Sequence, residues 1–97
     1  MPAYAIVDMT VTDTVKIEDY RKLAGASVTA YGGRFLVRGG RCETVDGHWK
    51  PQRVVVIEFP GWEQAKRWRG SPEYAKACEI RDKAAKTRML LVEGLAG

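Results

Sequence analysis

Histidine occurs once in this chain, at His48, cysteine twice and asparagine not at all. A lone histidine excludes a paired-histidine metal site within one chain. Cys42 and Cys78 lie in dissimilar settings, one strand-like and one helical, with no CxxC spacing. Free thiols are expected there, not a disulfide or a metal pair. No apolar run approaches the roughly 20 residues that span a bilayer. Met1-Pro2-Ala3-Tyr4-Ala5-Ile6 carries no basic leader, so no signal peptide is read and a cytoplasmic setting is expected. Gly32-Gly33 and Gly39-Gly40 lack the GxGxxG and GxxxxGK patterns and do not sit between a strand and a following helix, which argues against a phosphate loop. Sixteen basic and twelve acidic residues are interleaved, so the net charge of +4 forms no basic run. Nucleic acid is therefore not the expected partner. Nothing in the pattern requires a cofactor or a metal.

What is present alternates between strand and helix signals. Tyr4 to Val11 is rich in Val, Ile and Thr and reads as a strand. Thr12-Asp13-Thr14 offers a helix cap, with Glu18 and Asp19 at the positive end of the helix dipole. Ile17, Tyr20, Leu23, Ala24, Ser27, Val28 and Tyr31 recur at helical steps, and Gly32-Gly33 ends the run. Arg34 to Val45 is predicted as a second strand, bent at Gly39-Gly40, with Asp46-Gly47 as a hairpin turn that His48 to Gln52 could lengthen. Arg53 to Phe59 is the best strand, stopped by Pro60. A short helix over Trp62, Ala65 and Trp68 follows, closed by Gly70. Ser71-Pro72 opens another helix with serine as cap and proline at its first position, and Arg88 to Glu93 is the last strand.

Strand, helix, strand, strand, helix, strand is the ferredoxin-like α+β arrangement, a single domain over residues 1–97 with both helices on one face of an antiparallel sheet. The other face of such a sheet should turn polar if it meets water. Val54, Val55, Val56 and Ile57 are apolar on both faces, and so are Ala5, Ile6 and Val7. A second copy of the chain is the economical cover, so a homodimer is expected.

Gly32-Gly33-Arg34-Phe35-Leu36-Val37-Arg38-Gly39-Gly40, Phe59-Pro60, Trp68-Arg69-Gly70-Ser71-Pro72-Glu73-Tyr74, Ile80-Arg81 and Leu91-Val92-Glu93-Gly94 together resemble the domain of unknown function family 1330. The likeness covers nearly the whole chain and is most specific at Ser-Pro-Glu-Tyr after Trp68. Arg69 stands where an aromatic residue is common, and Gly61 where serine commonly caps the helix. The resemblance implies a dimeric α+β barrel and no established activity.

Charged residues inside apolar strands are the informative ones, since an unpaired buried charge is costly. Asp8, Arg38 and Glu58 interrupt the first three strands. They are expected to face a cavity between the sheet and a partner, with Trp68 and Tyr74 as aromatic walls. The alternative is that they reach water at strand ends or form a structural ion pair. Arg38 would anchor a ligand carboxylate, and Asp8 or Glu58 would serve as base in proton transfer or oxygenation of a small acidic or aromatic substrate. His48 beside Trp49 reads as a surface histidine rather than a catalytic base. Folds of this type resemble cofactor-independent monooxygenases, which typically use asparagine, tryptophan and histidine. The missing asparagine weakens that analogy. The competing reading is a structural or regulatory homodimer without a ligand. RNA recognition is disfavoured, because Arg53 to Phe59 lacks the basic-Gly-aromatic signature of an RNA recognition motif.

Overall fold

The computed structural model describes residues 1–95. Its elements are β1 (Ala3–Val11), α1 (Lys16–Ala30), β2 (Arg34–Arg38), β3 (Val54–Phe59), α2 (Trp62–Arg69), α3 (Pro72–Ala84) and β4 (Ala85–Glu93). The four strands form one antiparallel sheet in the order β2-β3-β1-β4, with the helices on one face. This is the expected β-α-β-β-α-β frame, with α2 added ahead of the second long helix.

Strand alternation separates the two sheet faces. Ala3, Ala5, Val7 and Met9 of β1 and Val55, Ile57 and Phe59 of β3 are buried against Ile17, Tyr20, Ala24, Ser27 and Val28 of α1. Asp13 Oδ1 accepts from the backbone N–H groups of Val15 and Lys16, which satisfies donors at the start of α1. At Ser71 the hydroxyl accepts from the Tyr74 N–H at 3.1 Å and donates to the Trp68 carbonyl at 2.7 Å. One buried serine thus ends α2 and starts α3, a cap of about 1 kcal/mol. Gly33 lies so close to Phe59 that an added Cβ would stand 2.6 Å from the ring, so the turn into β2 can press onto the core only with hydrogen there.

Three sequence expectations change. The second strand stops at Arg38, and residues 39–53 form a loop whose first twelve positions are all exposed. A longer hairpin would need Pro51 to donate in the ladder, which proline cannot do. Gly39 has φ +74° and turns the chain out of the sheet, while Gly47 keeps a left-handed turn conformation in a loop with no strand beside it. The last strand begins at Ala85 directly after α3, three residues before the expected Arg88. Leu23, at a helical step with Ile17, Tyr20 and Ala24 and so expected on the buried face of that helix, is exposed.

Candidate functional site

A cleft opens between α1 and the β2–β3 side of the sheet. Val7, Val55 and Ile57 form its floor, and Tyr20, Phe35 and Trp68 are its aromatic walls. Its enclosed part is about 30 Å³, room for a water or two. Arg21, Arg38 and Arg53 complete its lining. A bulge between Phe35 and Val37 brings Arg38 there. It shifts the register so that Phe35 faces Ile57 and Arg38 faces Val55, both on the helix side of the sheet. The Arg38 guanidinium then lies 4.1 Å over the Phe35 ring, a cation–π contact.

Among the described residues Arg38 and Arg53 have no carboxylate partner, while Arg21 pairs with Glu18. Arg53 donates to the Arg38 carbonyl at 3.5 Å. An added Cβ at Gly39 would fall 2.1 Å from its guanidinium, so glycine leaves the space that this side chain fills. Burial pulls the Arg53 pKa down, and the neighbouring Arg21 and Arg38 charges pull it further. The cleft is a cationic mouth over an apolar interior.

Asp8 and Glu58 face the other way. The register sets Val37, Val56, Ile6 and Leu90 in one row across all four strands on the helix-free face. The neighbouring row holds Arg34, Glu58, Tyr4 and Val92, and the row on the other side holds Val54, Asp8 and Arg88. Glu58 accepts from Arg34 Nε at 2.9 Å. Asp8, 15% exposed at its side chain, accepts from Arg88 Nη2 at 3.0 Å and, at 3.4 Å each, from Trp49 Nε1 and the Gln52 N–H. The loop thereby lies against the sheet, walling an open depression of about 590 Å³ that His48, Trp49, Lys50 and Arg88 help line.

The five expected site residues are therefore divided. Arg38 and Trp68 share the cleft. Asp8 and Glu58 share the opposite face in different rows, each held by an arginine, so neither acts as a base in the cleft. Tyr74 has no exposure and stands behind Tyr20, its hydroxyl 2.9 Å from the Tyr20 hydroxyl. Arg53 and Tyr20 were not singled out as site residues, although a signal existed for the first: Arg53 is in phase with the core positions Val55 and Ile57. Both cysteines are unpaired, and no group of three or more metal-ligating side chains occurs among the described residues. Among those residues no helix is long and apolar enough to cross a membrane.

Arg88 first, with the Trp49 and Gln52 donors adding to it, holds the Asp8 carboxyl below its ordinary pKa against the opposing effect of burial. The resulting stabilisation is full above the unfolded value of about 4 and is lost as pH falls through the lower folded value. Asp8→Asn should therefore melt below the unmodified protein at pH 7, and the gap should close as pH falls below about 4. A gap that stays constant across that range would show that the carboxylate charge does not hold the loop.

The model of a family described as a domain of unknown function, DUF1330, matches residues 2–95. The chain belongs to that family. Among solved structures, this DUF1330 chain is similar to a protein of unknown function from Rhodopseudomonas palustris, with TM-score 0.78 at 16% identity over 99% of this chain and 84% of that one. It is also similar to SnoaB, a cofactor-independent oxygenase from Streptomyces nogalater, with TM-score 0.65 at 11% identity over 99% and 95% of the two chains. A dimeric ferredoxin-like protein of unknown function from Jannaschia sp. matches with TM-score 0.66 at 10% identity over 97% of this chain and all of that one. At these identities the likeness shows the fold alone. No curated protein matches the sequence.

Proposed function

We propose that this DUF1330 domain is a homodimeric binder of a small organic anion with an apolar or aromatic body, held at the cationic mouth of the cleft between helices and sheet. One observation carries the reading. Three guanidinium groups gather around an apolar interior with one carboxylate, Glu18, close by. Like charges brought together repel one another, and an anion turns that repulsion into attraction. The unpaired Arg38 offers a planar fork of donors to a carboxylate, and the half-buried Phe35 offers area to the ligand body. The use of this fold by a cofactor-independent oxygenase, SnoaB, supports a small-molecule role.

Native mass spectrometry of the purified protein, before and after denaturation, tests for a carried ligand. Arg38→Met keeps the length of the side chain and removes its charge. Ligand retention is expected to fall by tenfold or more, with the melting temperature within a few degrees, because no ion pair is broken and a repulsion with Arg53 is relieved. A loss of a few kcal/mol instead, the cost of breaking a buried pair, would assign Arg38 to structure. The small enclosed volume favours a second reading, a homodimer without a ligand. A native mass of twice the denatured chain mass, with nothing left over, would favour it.

A further inference from the structure

We propose that the depression between the 39–53 loop and the helix-free sheet face is a second binding site, for a planar aromatic anion that stacks on Trp49. The second copy of the chain closes this site, and the closure rests on the homodimer proposed above. The site itself does not depend on the cleft, which lies on the other side of the sheet. Its open volume of about 590 Å³ falls within the roughly 300–1,000 Å³ of small-molecule pockets.

The loop is built as a wall. Residues 39–53 contain no helix or strand, and so long a bare connection in a compact domain is generally functional or disordered. Here it is anchored at the depression. Trp49 Nε1 and the Gln52 N–H donate to Asp8 at 3.4 Å each, and Thr44 Oγ1 donates to the Trp49 carbonyl. The Arg53 carbonyl accepts from the Met9 N–H at 2.9 Å. The indole is thus tethered at its N–H edge. It is 53% exposed, and among the described residues no other ring or guanidinium stacks on it. A tethered ring without a stacking partner gives up little freedom when a flat ligand lies against it.

The lining sets the charge of the ligand. Asp8 is its one acid, and Arg88 already neutralises that carboxylate at 3.0 Å. Lys50 has no carboxylate partner among the described residues, and neither has His48. The depression therefore keeps a net positive wall, which an anion satisfies. Its floor is apolar, formed by Ile6 and Leu90. Both belong to the row that crosses the helix-free face. A second copy that covers this row also covers the opening, and the water around the bound ring is excluded.

The probe is trans-cinnamate, a flat aromatic carboxylate, titrated calorimetrically in the Arg38→Met background so that the cleft mouth contributes little. Binding is expected, and Trp49→Leu should weaken it about tenfold through loss of the stack. Trp49→Phe keeps a ring face and loses the N–H, so its affinity should stay within about threefold. Lys50→Gln should cost about threefold, as an exposed charge pair does. Absence of binding, or an affinity indifferent to Trp49→Leu, overturns the site. Equal losses for the leucine and phenylalanine variants assign Trp49 to holding the loop and overturn it too. Closure is read from Val37→Asp, which lies in the same row, two strands from Ile6 and outside the depression. At about 0.15 M salt its charge is screened from the site, since the Debye length is about 8 Å. A monomeric Val37→Asp protein should bind cinnamate about tenfold more weakly, because binding and dimerisation are linked. Undiminished binding by that monomer, or a Val37→Asp protein that stays dimeric, overturns the closure. A monomeric unmodified protein overturns the homodimer and the closure together, and the Trp49 comparison still decides the site.

Discussion

Trp68→Ala is expected to lower the melting temperature by roughly 15–30 °C, corresponding to a loss of about 3–5 kcal/mol in a chain of this length. Trp68 is 1% exposed and is among the largest fully buried side chains among the described residues. It leaves α2, stacks on Phe59 of β3 with ring centres 5.1 Å apart, and on Tyr74 of α3 with centres 4.3 Å apart. Its Nε1 donates at 3.0 Å to Ser27 Oγ on α1, which donates in turn to the Ala24 carbonyl at 2.7 Å. Four elements meet on one ring. Alanine would leave a cavity that the sheet beneath cannot fill, and total stability for a small domain is only about 5–15 kcal/mol. Trp68→Phe should cost less, because the stack survives and Ser27 keeps its bond to Ala24. Circular-dichroism melts at one protein concentration would measure both. A shift below about 5 °C for the alanine variant would mean that the aromatic cluster contributes little.

The frame was legible because its determinants are local. Val54 to Phe59, stopped by Pro60, could be little other than a strand, and Ser71-Pro72 with Tyr74 three residues on marks a helix start by side-chain chemistry alone. The second strand was misjudged where a long-range event decided the outcome. Arg41 to Val45 has strand composition, but its partner segment would have contained Pro51. The site was less legible for a related reason. Strand alternation places Arg38 by parity, and one extra residue at the bulge after Phe35 reverses that parity. The reversal moved Arg38 from the expected sheet–partner cavity to the helix-side cleft. Asp8 and Glu58 obey simple alternation, and both belong to the helix-free face. Their partners Arg34 and Arg88 lie on strands that no sequence spacing could have brought beside them. Tyr74 could be recognised as buried, but its hydroxyl contact to Tyr20 bridges helices 54 positions apart in sequence.

Val56→Asp is expected to convert a dimer into a monomer. Val56 sits inside the row Val37, Val56, Ile6 and Leu90, which crosses the whole sheet on the face without helices. Val37 is 40% exposed and Leu90 55%, and Val92 in the next row is 41% exposed. A sheet face meeting only water would turn polar at these positions. Here an apolar stripe is bordered by two ion pairs, Arg34 with Glu58 and Asp8 with Arg88. An apolar centre with a charged rim is the anatomy of a protein interface. Two copies related by a twofold axis would bury about 800 Å² each if the contact is of standard size. Within one chain Val56 is only half-buried, so aspartate there costs the monomer little. In the interface it would place two uncompensated charges, one from each copy, in an apolar layer at a cost of several kcal/mol. Light scattering should report twice the 10.8 kDa chain mass for the unmodified protein and the single mass for Val56→Asp at micromolar concentration. Leu90→Ser should weaken the dimer less, since it sits on the edge strand and removes apolar area without adding charge. A monomeric unmodified protein would leave the stripe uncovered and would sink the homodimer.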